Sequence, residues 1–171
     1  MSSPGTGRSG TGRSGGGRSP SGGRSGDDPT GGGPSGGNPT GGDPTGGGVV
    51  LDTDVLIDFL RGLPAAGRYV GGLTGVPTCS EVTRVEVLRG MRAGERRATE
   101  RFLATMRWVV VDDQVSGLAG ELGRRFRRSH GVIAAADLLV AATAERFGLP
   151  LATLNVRHYP MFEGLEPAYR R

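Results

Sequence analysis

Short apolar segments alternate with amphipathic segments throughout residues 49–171. Four of them have the length and composition of buried strands, at residues 49–52, 76–78, 107–112 and 150–154. Residues 165–168 could form a fifth strand. Parallel strands need long crossover connections, which are usually helices. The alternation therefore predicts an α/β fold with three layers, in which helices flank both faces of a mostly parallel four- to five-stranded sheet.

The segments between these strands are predicted to be helical from capping residues and apolar spacing. The first helix starts at Thr53 or Asp54 and runs to Leu60, the second covers about residues 65–73, and the third starts near Ser80. Further helices are predicted at residues 95–106, around residues 115–126, and at residues 134–147.

The same spacing predicts which faces of two helices are buried. On the helix that starts near residue 80, the apolar stripe consists of Val82, Val85, Leu88 and Met91, and Glu86 lies on a different face. On the helix at residues 95–106, the predicted inward residues are Ala98, Phe102, Leu103 and Met106.

Residues 1–48 differ sharply from the rest in composition. They hold 20 of the 33 glycines and 6 of the 11 prolines, and their only apolar residue is Met1. A segment that cannot bury apolar surface cannot offset the entropy of ordering. We predict a disordered, low-complexity tail at residues 1–48 and one domain at residues 49–171. A start codon assigned too far upstream would also explain the tail.

Composition narrows the classes of function. The net charge of +4 permits a nucleic-acid partner without arguing strongly for one, and every basic residue is arginine, which excludes lysine-dependent mechanisms. Cys79 is the only cysteine, which excludes an intramolecular disulfide and a cysteine-based zinc site. No apolar run reaches the length of about 20 residues that a membrane helix needs. We expect a soluble, cytoplasmic protein.

Oxygen-bearing side chains stand at or near the ends of the apolar segments. Asp52 and Asn155 follow two predicted strands, whereas Glu86 and Asp137 lie in predicted helices. Ligand sites in parallel sheets lie beyond the carboxyl ends of the strands, so the four side chains could converge there. Oxygen ligands suit a hard divalent cation, and Asp54 is a further, weaker candidate. The set points to metal-assisted hydrolysis of a phosphodiester.

These residues resemble the PIN-domain family, and within it the VapC-type toxins of bacterial toxin–antitoxin pairs. The similarity covers the whole of residues 49–171 and rests on Val-Leu-Asp-Thr-Asp-Val-Leu-Ile-Asp at 50–58, Glu86 before Leu-Arg-Gly, Ala-Asp-Leu-Leu-Val-Ala-Ala-Thr-Ala at 136–144, and Thr-Leu-Asn-Val-Arg-His-Tyr-Pro at 153–160.

The resemblance implies an endoribonuclease that depends on Mg²⁺ or Mn²⁺ and leaves 5′-phosphate and 3′-hydroxyl ends. Its catalytic residues would be Asp52, Glu86 and Asp137. It also implies inhibition by a VapB-like antitoxin and assembly as a homodimer. The departure from the family pattern is Asn155, where many members carry Asp. An amide supplies oxygen without charge, so it should hold a metal less firmly.

Each candidate also has a purely structural interpretation. Asp52 and Asp137 could cap helices, Glu86 could form a capping box with Thr83, and Asn155 could be a turn residue. Asp54 could be a cap or could support a ligand. Further residues stay open in the same way: Thr153 as a strand residue or a partner of a carboxylate, His158 as a loop histidine or a phosphate contact, and Arg124, Arg125, Arg127 and Arg128 as a solvated helix face or a contact for RNA or antitoxin.

Two other functions compete with the ribonuclease. Val-Val-Leu-Asp-Thr-Asp at 49–54 and Val-Val-Val-Asp-Asp at 109–113 imitate motifs of haloacid-dehalogenase-like phosphohydrolases. A phosphohydrolase of that class would leave Glu86 and Asp137 without a catalytic role. The second rival is a non-catalytic module that binds RNA or an antitoxin, and retention of three carboxylates argues against it.

Overall fold

Alternating strands and helices make up residues 48–171, the part of the chain that the computed structural model describes. In chain order the elements are β1 (Val50–Leu51), α1 (Thr53–Leu60), α2 (Pro64–Gly71), β2 (Thr78–Ser80), α3 (Glu81–Arg89), α4 (Arg96–Leu103), β3 (Arg107–Val109), α5 (Asp113–His130), α6 (Ala135–Phe147), β4 (Leu151–Ala152) and a 3-10 helix (Val156–His158). The predicted tail at residues 1–48 lies outside the described residues, apart from Gly48.

The four strands form one parallel sheet in the order β3-β2-β1-β4. Val50 of the central strand β1 aligns with Thr78 of β2 and with Leu151 of β4. The carboxyl ends of β1, β2 and β4 therefore lie side by side at one edge of the sheet. The prediction of a mostly parallel sheet is confirmed, although β2 begins two residues later than expected and β3 ends three residues earlier.

The possible fifth strand at residues 165–168 is not formed. This segment is linked to the sheet by a hydrogen bond from Ala168 N to Thr153 O of 2.9 Å. Pro167 has no amide hydrogen to donate, and Leu165 N donates to Phe162 O in a turn. The segment therefore cannot continue a strand ladder.

The predicted apolar stripe of α3 is wrong. Val85 is 63% exposed and Leu88 is also exposed, whereas Thr83 and Val87 are buried. α3 packs against both α1 and α6, so contacts on two sides decide its orientation rather than a single apolar stripe. The orientation observed places Glu86 beside the carboxyl ends of the strands.

The inward face of α4 also differs from the prediction at one position. Thr99 is buried and Ala98 is exposed, while Leu103 and Met106 are buried as expected. Phe102 is half-buried because its ring stacks on Phe59 at 4.2 Å between centroids. Packing against neighbouring helices therefore decides which residues of α4 are buried, more than the hydrophobicity of one small residue such as Ala98 does.

The hydrophobic core is split between the two faces of the sheet, because consecutive strand residues point in opposite directions. Val50 packs with residues of α5 and α6 on one face. Leu51 packs with residues of α1, α3 and α4 on the other. The expected three-layer arrangement is confirmed. No helix within residues 48–171 combines the length and apolarity needed to cross a membrane.

The C-terminus is fastened to α1 through a buried carboxylate. Asp58 is 3% exposed. It accepts hydrogen bonds from Arg171 Nε at 2.8 Å, Arg171 Nη2 at 3.1 Å and the Tyr169 hydroxyl at 3.1 Å. We call this group the C-terminal clamp, and it holds the helix that begins directly after Asp52.

Candidate active site

All five predicted site residues line one cleft of about 420 Å³ at the carboxyl ends of the strands. Asp52 and Asp54 come from the β1–α1 junction, Glu86 from α3, Asp137 from the first turn of α6, and Asn155 from the segment after β4. Residues from four separate segments of the chain thus line a common wall. Thr53 and His158 line the same cleft.

Asp52 caps α1 and also faces the cleft. Its Oδ1 accepts from Thr53 N at 2.7 Å, and its Oδ2 accepts from Thr153 Oγ1 at 2.7 Å. Its own amide donates to Ala152 O at 2.9 Å, which ties it to β4. The two interpretations of Asp52 are therefore compatible, because the hydrogen bonds that cap the helix also fix the carboxylate at the cleft.

Glu86 is an interior residue of α3 rather than a capping residue. The helix begins at Glu81 after the N-cap Ser80, so the capping-box interpretation with Thr83 is wrong. Glu86 Oε2 accepts a hydrogen bond from Thr53 Oγ1 at 2.6 Å. One threonine therefore connects Glu86 to the segment that holds Asp52.

Asp137 is in the first turn of α6, whose N-cap is Ala134. Asp137 therefore does not cap α6, although its place in the first turn is one that the helix dipole favours for a carboxylate. His158 Nδ1 lies 3.2 Å from Asp137 Oδ2, so His158 is more than an isolated loop residue. Burial raises the pKa of Asp137, and His158 opposes that shift. The negative charges of Asp52 and Glu86 in the same cleft also raise it.

Asp54 is held by the segment that follows β4. Its Oδ2 accepts from Leu154 N at 2.9 Å, whereas its Oδ1 is buried and has no hydrogen-bond partner among the described residues. Burial, reinforced by the charge of Asp52, raises the pKa of Asp54 to about 6. A carboxylate oxygen without a partner in such surroundings is costly unless a proton or a cation reaches it.

Thr153 connects the two halves of the cleft. Its hydroxyl donates to Asp52 Oδ2, lies 3.4 Å from Asp54 Oδ2, and accepts from Asn155 N at 3.0 Å. The prediction that Thr153 bonds a carboxylate is confirmed. Asn155 is exposed, and its backbone is fixed through this hydroxyl.

The residues present suit a hard divalent cation. The cleft offers several carboxylates and one amide, and the unpartnered Asp54 Oδ1 is an oxygen that a cation would satisfy. As the side chains stand in residues 48–171, no three acidic, histidine or cysteine groups are close enough to form a complete metal site. Binding would require small side-chain movements toward the ion.

Two contributors to this site were not anticipated from sequence. Thr53 was expected only as a possible start of α1, yet it bonds Glu86. Tyr159 is buried, and its hydroxyl forms no hydrogen bond with any described residue. Burial and the nearby charge of Asp52 raise its pKa. The 153–160 motif includes Tyr159, but nothing in the motif itself indicated that its hydroxyl would be buried near Asp52.

We expect Thr153→Val to weaken Mn²⁺ binding by about 10- to 100-fold, because removing a group that orients ligands typically has that effect. The substitution keeps the side-chain shape but removes the hydroxyl shared by Asp52, Asp54 and Asn155. Calorimetric titration with Mn²⁺ measures the change. Thr143→Val is the matched control, since Thr143 is also buried and donates only to Leu139 O of its own helix. Equal affinities in the two variants would contradict the role given to Thr153.

The acidic pair that imitated a phosphohydrolase motif lies outside this cleft. Asp112 is the N-cap of α5, where its Oδ1 accepts from Val115 N at 3.0 Å. Arg146 Nη1 donates to both of its carboxylate oxygens at 2.7 Å, which lowers the pKa of Asp112. Asp112 is thus occupied in joining α5 to α6, and the phosphohydrolase interpretation loses its second acidic motif.

Solved structures share this fold. A toxin–antitoxin complex from Klebsiella pneumoniae superposes with a TM-score of 0.61 at 21% identity, over 72% of this chain and 99% of that chain. DNA-bound VapBC from Salmonella typhimurium gives a TM-score of 0.60 at 24% identity, over 70% of this chain and 95% of that chain. At these identities the similarity establishes the fold alone.

Two relatives found by sequence are more similar to this chain than these structures are. Ribonuclease VapC10 of Mycobacterium tuberculosis is 43% identical over 123 residues, covering 71% of this chain and 92% of the relative. Ribonuclease VapC19 of the same species is 40% identical over 123 residues, covering 70% and 98%. The PIN domain pattern itself matches residues 49–160. With a match of that extent and relatives at these identities, the chain belongs to the PIN-domain family.

Proposed function

We propose that residues 49–171 form a VapC-type endoribonuclease toxin that hydrolyses RNA phosphodiester bonds and is neutralised by a VapB-like antitoxin. The observation that carries the proposal is the meeting of Asp52, Glu86 and Asp137 at one cleft from three distant segments. The relatives at 40–43% identity are named ribonucleases, which supports the same reaction.

Asp52, Glu86 and Asp137 would hold Mg²⁺ or Mn²⁺, with weaker contributions from Asn155 and Asp54. A divalent cation held by these residues would polarise a phosphoryl oxygen and lower the pKa of a bound water. The hydroxyls of Thr53 and Thr153 fix Glu86 and Asp52 before the substrate arrives. Such preorganisation avoids reorganisation during the reaction.

The concentration of negative charge in the cleft has a consequence for the substrate. Four carboxylates line it, from Asp52, Asp54, Glu86 and Asp137, and only two basic groups, Arg89 and His158, stand against them among the lining residues. A phosphate would be repelled by this wall unless a cation neutralised it. The excess of carboxylates supports a metal requirement for RNA binding at the cleft.

Several further features belong to the same proposal. The solved relatives include toxin–antitoxin complexes, which supports a VapB-like antitoxin as partner. We also propose a homodimer, a cytoplasmic location, and a domain boundary near residue 48 that leaves residues 1–48 outside the catalytic domain.

The decisive experiment uses the full chain, expressed with its antitoxin and then separated from it. RNA is incubated with Mg²⁺, with Mn²⁺ or with a chelator, and the ends of the products are mapped. Cleavage that requires metal and leaves 5′-phosphate ends supports the proposal. Release of phosphate from a phosphomonoester without RNA cleavage would revive the phosphohydrolase. Metal-independent RNA binding without cleavage would favour a non-catalytic module.

We expect Asn155→Asp to retain or increase ribonuclease activity and to tighten Mn²⁺ binding, because it adds a charge where the present amide offers only an oxygen. Asn155 is exposed at the cleft, so the substitution should not disturb the core. Titration with Mn²⁺ and the initial rate of RNA cleavage measure the two effects. Weaker metal binding in the variant would remove Asn155 from the proposed ligand set.

A further inference from the structure

A second cavity of about 230 Å³ adjoins the acidic cleft. Asp137 and His158 line both spaces, so this pair, 3.2 Å apart, forms part of the wall between them. The other walls of the second cavity include His130, Val132, Ile133 and Arg157. We call it the Arg157 pocket. It differs from the cleft in its balance of charge: it has one carboxylate, Asp137, beside the Arg157 guanidinium and two imidazoles, whereas the cleft has four carboxylates beside Arg89 and His158.

Arg157 is available to an incoming ligand. It is exposed on the 3-10 helix that directly follows Asn155, and no salt bridge engages it within residues 48–171. A planar guanidinium is well matched to phosphate oxygens. Beyond the pocket, Arg127 and Arg128 are exposed in the last turn of α5 and are likewise outside the salt bridges of the described part of the chain.

The pocket also has an apolar part, formed by Val132, Ile133 and Ala134. Val132 is 89% exposed, an unusual environment for an aliphatic side chain beside a proposed catalytic site. Gly131 has φ 74° and ψ −147°, a conformation open essentially to glycine alone, and it ends α5 so that the chain turns directly into this wall. The pocket thus joins a cationic side to an apolar side, as a nucleotide with its phosphate and base requires.

We infer that the Arg157 pocket binds the nucleotide adjacent to the scissile phosphate, an inference that rests on the proposed ribonuclease function. Arg157 contacts the phosphate of that nucleotide, and Val132 and Ile133 contact its base. The shared Asp137–His158 wall places this nucleotide next to the cleft. An acidic segment of a protein partner could satisfy Arg157, but continuity with the cleft and the apolar wall favour RNA.

The test measures binding of a short single-stranded RNA analogue of mixed sequence whose linkages resist hydrolysis, with Mn²⁺ present and Asp52, Glu86 and Asp137 unaltered. Arg157→Gln should weaken binding about tenfold, the effect of losing one charge-assisted contact. It should also reduce the slope of log affinity against log salt by about 0.7, the change expected for one phosphate contact on a single strand. Fluorescence anisotropy at several salt concentrations gives both quantities.

Arg107→Gln is the matched control. Arg107 is exposed at the start of β3, the edge strand farthest from β4, so it lies at the amino ends of the strands rather than at the carboxyl ends where the cleft is. Its substitution by Gln changes the net charge by the same amount. Mn²⁺ affinity without RNA should be the same in both variants. Val132→Ser, which alters an exposed residue, should lower RNA affinity several-fold without changing the salt slope, because it removes an apolar contact and no charge.

Equal RNA affinity and equal salt slopes for Arg157→Gln and Arg107→Gln would overturn the inference. The same holds if Arg157→Gln weakens antitoxin binding and leaves RNA binding intact. Failure of the wild-type protein to cleave RNA would overturn the proposed function instead, because the binding measurements do not depend on cleavage. If the wild-type protein cleaves RNA but Arg157→Gln does not change RNA binding, the proposed function stands and only the role of the Arg157 pocket is rejected.

Discussion

Asp52→Asn is expected to lower the rate of RNA cleavage by about 10²- to 10³-fold and to abolish growth inhibition. A loss of this size is typical when one preorganised electrostatic group is removed from an active site. Asp52 is 7% exposed, and its two oxygens are already fixed by Thr53 and Thr153, so it cannot be replaced by another carboxylate without rebuilding the junction. The amide keeps the shape of the side chain and an oxygen for Thr53 N. The fold should therefore persist.

The measurement compares cleavage rates, Mn²⁺ affinity and thermal unfolding of the variant with those of wild type. Glu86→Gln and Asp137→Asn should behave similarly, because they remove carboxylates from the same cleft. Asp113→Asn is the control, since Asp113 is an exposed carboxylate in the first turn of α5 and does not line the cleft. Full toxicity of the Asp137 variant would remove that residue from the site.

Arg171→Gln is expected to lower the free energy of unfolding by about 1–2 kcal/mol. Loss of a partner from a buried charged acceptor costs about 1–3 kcal/mol or more, and the lower part of that range applies because the Arg171 side chain is 60% exposed. The buried Asp58 would keep only the Tyr169 hydroxyl among its present donors. Since Asp58 lies on α1, the substitution should destabilise the whole domain and not only the C-terminal segment.

Denaturant unfolding of the metal-free protein measures this effect. Arg170→Gln is a suitable control, because Arg170 is exposed and forms no salt bridge within residues 48–171. The double variant Asp58→Asn/Arg171→Gln should recover part of the loss, since the group left behind is then uncharged. A decrease no larger than that of the Arg170 variant would mean that water replaces the guanidinium without cost.

The order of the elements could be predicted from sequence because it depends on local patterns. Short apolar runs and helical spacing repeat within a few residues, and parallel strands bring their carboxyl ends to one edge by topology alone. This is why Asp52, Glu86, Asp137 and Asn155 could be expected at one place. The prediction of the buried face of α3 was wrong because burial there depends on packing against α1 and α6, which the apolar residues of α3 do not reveal.

What the sequence determined by itself was therefore the class of fold, the five oxygen-bearing side chains that meet at the cleft, and the chemistry those oxygens can support. The tertiary structure alone decided how those residues are held. Thr53 reaches Glu86 across 33 positions, Thr153 reaches Asp52 across 101, and Arg171 reaches Asp58 across 113. A side-chain hydrogen bond leaves no periodic trace in a sequence, and it forms only where packing brings donor and acceptor to within about 3 Å.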